Sequence, residues 1–177
     1  MMSSHSKIIA GVFVALFLSA CNAEEGDLAT VDYVDLERFM GDWYVIANIP
    51  TFLEKGAHNA VETYAINDDG TIATTFVFRE DSFDGKRKEY NPRGWVLDTE
   101  TNARWGMRFV WPIKADYRIV WLDDDYSMTV IGRQDRDYVW IMARTPTIPD
   151  ADYDEIVNFV GSIGYDTSKI ERVPQRW

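Results

Sequence analysis

From Trp43 to Arg144 the chain is a succession of short segments in which apolar and polar residues alternate, each ended by a polar or Gly/Pro-containing turn. Period-two alternation places every second side chain on one face, which is how a strand with one buried side reads. The segments fall at Trp43–Ile49, Asn59–Ile66, Thr71–Arg79, Lys88–Leu97, Ala103–Trp111, Tyr117–Leu122, Ser127–Gly132 and Tyr138–Arg144. Most joints have hairpin length, and Asn67–Asp68–Asp69–Gly70 is the strongest turn signal among them. Pro92 lacks an N–H for the ladder, so the fourth segment is expected to start exposed or to carry a bulge there. Eight antiparallel strands can close on themselves with room for side chains plus one small ligand. The expected fold is all-β, an eight-stranded antiparallel up-and-down barrel.

Past Arg144 the period changes. Pro149, Asp150, Asp152, Asp154 and Glu155 suit a helix N-terminus, and Tyr153, Ile156, Val157 and Val160 form one apolar stripe, with Gly161 or Gly164 to end it. A single C-terminal α-helix of this kind packs on the outside of the barrel, and the tail Lys169–Trp177 reads as extended.

The opposite end has another character. After Lys7, the run Ile8–Leu18 is uncharged and apolar, too short for a stable membrane span but right for the core of a secretory signal. Leu18–Ser19–Ala20–Cys21 resembles the bacterial lipobox, in which the signal is cut before a cysteine whose thiol takes diacylglycerol. That resemblance divides the chain into a signal peptide (1–20), a lipidated tether (21–34) and a folded domain (35–177). It makes Cys21 the lipid attachment point, and several acyl chains suffice for stable membrane anchoring. Asn22 after the cysteine, by the same resemblance, implies the outer membrane of a Gram-negative envelope.

Losing Lys7 with the signal leaves 17 of the 18 Lys and Arg against 29 Asp and Glu, a net charge of −12. Such a balance disfavours nucleic acid and anionic-lipid docking, both of which need clustered basic charge. His58 is then the single histidine and Cys21 the single cysteine. Zinc sites of the Cys/His kind, a Cys–His nucleophile and an intrachain disulfide are therefore excluded. The acidic triplet Asp123–Asp125 reads as a solvated tight turn rather than a calcium site, and Arg108, Arg118 and His58 read as surface residues. No cofactor is implied.

Three segments carry a resemblance to a known family. Gly41–Asp42–Trp43–Tyr44, the stretch Ile119–Val120–Trp121–Leu122–Asp123 running on to Tyr126, and Asp135–Pro146 are similar to the three signatures of the lipocalin family, in the right order and at the right separations. The layout is most similar to that family's bacterial outer-membrane lipoproteins. The resemblance implies that Gly41, Trp43 and Arg144 form the barrel base, with the Arg144 guanidinium lying across the Trp43 indole. With Trp43 and Arg144 inward, alternation turns Val45, Ala47, Ile49, Met142, Trp140 and Tyr138 inward as well. Matching the remaining strands to the family adds Glu62, Tyr64, Ile72, Thr74, Phe76, Phe78, Trp105, Met107, Phe109, Tyr117 and Ile119 to the expected cavity lining.

That set is apolar and aromatic, and suits an acyl chain better than a sugar or nucleotide. The expected partners are fatty acids or lysophospholipids and, through Cys21, a membrane; similar bacterial proteins include homodimers, so that assembly is also open. The expected function is a membrane-anchored lipid binder for storage or transport in envelope maintenance or stress, not an enzyme. Two alternatives stand beside it: a structural envelope lipoprotein whose barrel is filled, and an enzyme using Glu62 with a tyrosine. Glu62 is the odd member of the lining, either a polar contact for a headgroup or a carboxylate satisfied by a neighbouring strand.

Overall fold

The computed structural model describes residues 26–110 and 113–177. The signal peptide and Cys21 lie outside the described residues, as does the end of the fifth predicted strand, Trp111. Among the described residues ten strands are present: β1 (Gly41–Ile49), β2 (Ala57–Ile66), β3 (Ile72–Glu80), β4 (Arg87–Tyr90), β5 (Arg93–Val96), β6 (Arg104–Val110), β7 (Ile113–Leu122), β8 (Met128–Gly132), β9 (Val139–Ala143) and β10 (Glu171–Arg172). β4 and β5 are one wall interrupted at Asn91–Pro92, where Pro92 offers its carbonyl to the Thr74 N–H instead of a ladder donor. β1 pairs with both β2 and β9, closing an antiparallel barrel of eight walls.

Two features outside the barrel were not expected in detail. A four-residue helix, α1 (Leu36–Phe39), lies under the β1 end, its N-terminus capped by the Asp35 carboxylate, which accepts from the N–H groups of Glu37 and Arg38. The extended C-terminal tail enters the seam where β1 and β2 part above Tyr44 and Val61. There Val173 N–H donates to Ile46 O (2.9 Å), Asn59 N–H donates to Pro174 O (2.8 Å), and the Gln175 amide donates to Val45 O (2.8 Å) and Ala60 O (3.2 Å). The tail thus supplies a strand-like filler for backbone groups that would otherwise be orphaned.

Helix α2 (Asp150–Ser162) packs Ile156 and Val160 onto the outside of the barrel, and Gly164 beyond it adopts φ +98°. The molecule therefore has two apolar cores: one inside the barrel around Trp43, Tyr64, Trp105 and Ile119, the other between barrel and α2 around Ile46, Val130 and Ile141.

The stretch expected as a free tether is bound to the barrel from Gly26 onwards. Leu28 and Val34 are buried, Val31 N–H donates to Ile119 O, and Val34 N–H donates to Thr101 O. Arg118, read from the sequence as a surface residue, is buried at this contact, donating to Asp27, Asp116 and Leu28 O. The acidic composition of the leader hid two isolated apolar anchors and the charge partner for this arginine.

Candidate functional site

The floor of the barrel is built first. Trp43 is fully buried, its indole N–H donating to Phe39 O at 2.8 Å, and the Arg144 guanidinium lies over the indole at 3.8 Å from its centroid. Arg144 donates to five backbone carbonyls: Asp42, Arg38, Phe39, Met40 and Tyr126. Gly41, beside the guanidinium, has a φ of +95°, a backbone conformation that side-chain-bearing residues rarely adopt.

Above the floor the expected lining divides. Val45, Tyr64, Ile72, Phe76, Phe78, Trp105, Ile119 and Met142 lie in the barrel interior, packed against one another. Trp105 stacks on Tyr117 at 5.0 Å and 8°, and Phe76 meets Phe78 at 5.2 Å. Thr74 is buried nearby with no partner for its hydroxyl. Tyr64, Ile72, Trp105 and Ile119 fill the barrel near its floor, while Phe76 and Phe78 stand level with Glu62 and above it on the β3 wall.

The upper half is hollow, with a cavity of about 280 Å³. Of the expected lining, Glu62, Met107, Phe109, Tyr117, Tyr138 and Trp140 border it. Ala47 and Ile49 do not, and the expectation is corrected: the β1–β9 register slips between Val45 and Ala47, and this bulge turns Ala47 and Ile49 outward into the core beneath α2. The same slip points Asn48 inward, where its amide meets Glu54.

Sequence reasoning missed Thr51, Phe52, Leu53 and Glu54 on the β1–β2 loop, Ala115 and Asp116 on β7, and Arg133 beyond β8. The adjacent apolar pair Phe52–Leu53 in an otherwise polar connection was the available signal.

Two buried carboxylates give the cavity its chemistry. Glu62 accepts a short hydrogen bond from the Tyr64 hydroxyl, and Tyr64 in turn accepts from the Tyr117 hydroxyl at 2.9 Å. Burial pushes the Glu62 carboxyl up to about 7, opposed by the Tyr64 bond and reinforced by the charge of Glu54. Glu54 accepts from Asn48 Nδ2 and from the Trp140 indole, both at 2.9 Å. Burial raises its pKa too, those bonds offsetting part of the effect. Both tyrosines are held well above the usual phenol range, chiefly by burial, so they are neutral donors.

At the mouth, Phe52 is 82% exposed and Phe109 44%. The described part of the N-terminal leader begins at this same rim. Leu28 N–H donates to the Gln134 side chain, and Arg136 donates to Gly26 O, both on the β8–β9 loop that also carries Arg133 and Tyr138. Among the described residues no group of His, Cys, Asp and Glu is placed to hold a metal ion, and no helix is long and apolar enough to cross a membrane.

A barrel plugged at one end by an arginine-capped tryptophan, hollow at the other and flanked by one helix, defines a small-hydrophobe-binding barrel of the lipocalin class. The chain belongs to the lipocalin-like domain family, whose match spans residues 34–175. It is 32% identical over 161 residues to temperature-induced lipocalin-1 of Arabidopsis thaliana, covering 86% of this chain and 85% of that protein. It is 29% identical over 180 residues to the outer membrane lipoprotein Blc of Escherichia coli K12, covering 95% and 96%. Among solved structures, insecticyanin of the tobacco hornworm shares the fold at a TM-score of 0.65 and 15% identity, over 83% of this chain and 84% of that one.

Proposed function

We propose that the protein is a membrane-anchored lipid binder that buries an acyl chain, of a fatty acid or lysophospholipid, in the upper half of the barrel, for lipid storage or transport in the envelope. Cys21 is the attachment point, residues 1–20 are the signal removed on export, and the outer membrane is the destination. The apolar cavity of about 280 Å³ opening between two exposed phenylalanines carries the reading. Each methylene taken from water contributes roughly 0.8 kcal/mol, so a chain of about ten carbons supplies ~8 kcal/mol before association costs. Similarity to a protein named outer membrane lipoprotein supports the anchor and the compartment.

The test is native mass spectrometry of the Cys21→Ala chain purified from the periplasm. A co-purified mass in the range of a fatty acid or lysophospholipid is expected. A bare chain that also fails to take up added lysophospholipid overturns the proposal.

A further inference from the structure

The polar groups of the cavity are unbalanced in a way that specifies one end of a ligand. The hydroxyl protons run in a single direction, Tyr117 to Tyr64 to Glu62, so Tyr64 is the one donor that reaches the Glu62 carboxylate among the described residues. Glu62 still borders the cavity, and a carboxylate has about four lone-pair sites to fill. Glu54 faces the same space from the β1–β2 loop. Asp116, the third acid on the wall, is engaged by Arg118 Nε (2.9 Å) and Gln134 N–H (2.7 Å). Arg133 is the basic residue of the described lining; its Nη1 lies 3.4 Å from Asp137 and its guanidinium 5.3 Å from the ring of Tyr138, while its buried Nε has no partner among the described residues. The other polar side chains of the wall are Thr51, Tyr138 and the Trp140 indole, whose N–H is spent on Glu54.

We infer that the cavity is built for an amphiphilic amine, its ammonium resting on Glu62 within the field of Glu54 and its hydrocarbon chain directed to Phe52 and Phe109 at the mouth. This rests on the lipid-binding reading and narrows it to amine-headed amphiphiles, at the expense of the fatty acid. A fatty acid entering head first would add a negative charge beside two acids, with the Arg133 Nε as its one unmet cationic donor among the described lining. Entering tail first, it would set a methyl group against a carboxylate that then loses its water. An ammonium supplies three donors and the missing opposite charge. The volume, about nine times the share of one water molecule, suits a chain on the order of ten heavy atoms.

Decylamine, decanol and decanoate separate the cases when titrated into the Cys21→Ala chain with tryptophan emission as readout. At pH 8, decylamine is expected to bind at least tenfold more tightly than decanol, and decanoate the most weakly. Decylamine affinity should fall about tenfold between pH 8 and pH 6, as Glu62 takes up its proton, with decanol changing less than threefold. Glu62→Gln should remove both the preference and its pH dependence while decanol still binds, and Glu54→Gln should weaken decylamine alone, by a smaller factor. The melting temperature of each variant reports that it is folded. Decanoate binding as tightly as decylamine would assign head recognition to Arg133 and overturn this inference while leaving the lipid-binding reading intact. Unchanged decylamine affinity in Glu62→Gln overturns it equally. Failure of all three probes to bind overturns both.

Discussion

Arg144 and Trp43 stand 101 positions apart in sequence and 3.8 Å apart at the barrel floor, where one guanidinium covers the indole and gathers five carbonyls from α1, its flank and the Tyr126 turn. Removing it leaves those acceptors half-buried and the plug loose. Arg144→Ala is expected to cost about 2–4 kcal/mol, and Arg144→Lys about half as much, because a lysine keeps the charge but cannot span the set. Urea unfolding of both variants measures this. Equal stability of the lysine variant and the parent would show that fork geometry contributes nothing.

Glu62 favours the folded state in mild acid over neutral pH. Its carboxyl is held up to about 7 in the folded chain against an ordinary value of 4.5, so between those values the folded state holds a proton that the unfolded state has released. Stability therefore falls as pH rises from about 4.5 to 7, by up to roughly 3 kcal/mol, and levels off above. Glu54, also raised by burial, acts in the same direction. The melting temperature should drop between pH 5 and pH 8, and Glu62→Gln should flatten most of that slope.

The tail in the β1–β2 seam gives a prediction about local opening. A chain ending at Ile170 loses the Val173, Pro174 and Gln175 contacts to Ile46, Asn59, Val45 and Ala60. The expected cost is about 2–4 kcal/mol, with Gln175→Ala alone at about 1 kcal/mol. Hydrogen exchange at the Asn59 amide, whose acceptor is Pro174 O, is the sharpest readout, and it should accelerate in the truncated chain before the β6–β7 amides respond.

Filling the cavity should abolish uptake without unfolding the barrel. Ala115 borders the hollow half opposite Met107 on the neighbouring strand. Ala115→Phe is expected to lower lipid affinity at least tenfold while changing stability by no more than about 1 kcal/mol, since its ring enters space already empty. Full binding in this variant would place the ligand elsewhere.

The barrel floor was legible in the sequence because Gly41, Trp43 and Arg144 are residues whose chemistry is demanding and whose spacing is specific. The interior faces of β2, β3 and β6 were legible through the family resemblance, and Pro92 announced the break between β4 and β5. Ala47 and Ile49 were misplaced because a bulge reverses the alternation and leaves no mark in residue type. Glu54 was missed because its inward position follows from the path of a loop, not from a period. Leu28, Val34 and Arg118 were misread for a related reason: isolated anchors in an acidic leader have no periodicity to betray them.

The clamp on the leader also determines how the molecule hangs. Gly26 and Leu28 are fastened at the rim, and five residues from Cys21 reach no further than about 18 Å. Under the anchoring proposed above, an acylated Cys21 would suspend the vessel with its opening toward the bilayer, and Phe52, 82% exposed, would face the headgroups. A hydrocarbon tail leaving that leaflet would then enter without a journey through bulk water, and the plugged, arginine-sealed end would point into the aqueous compartment.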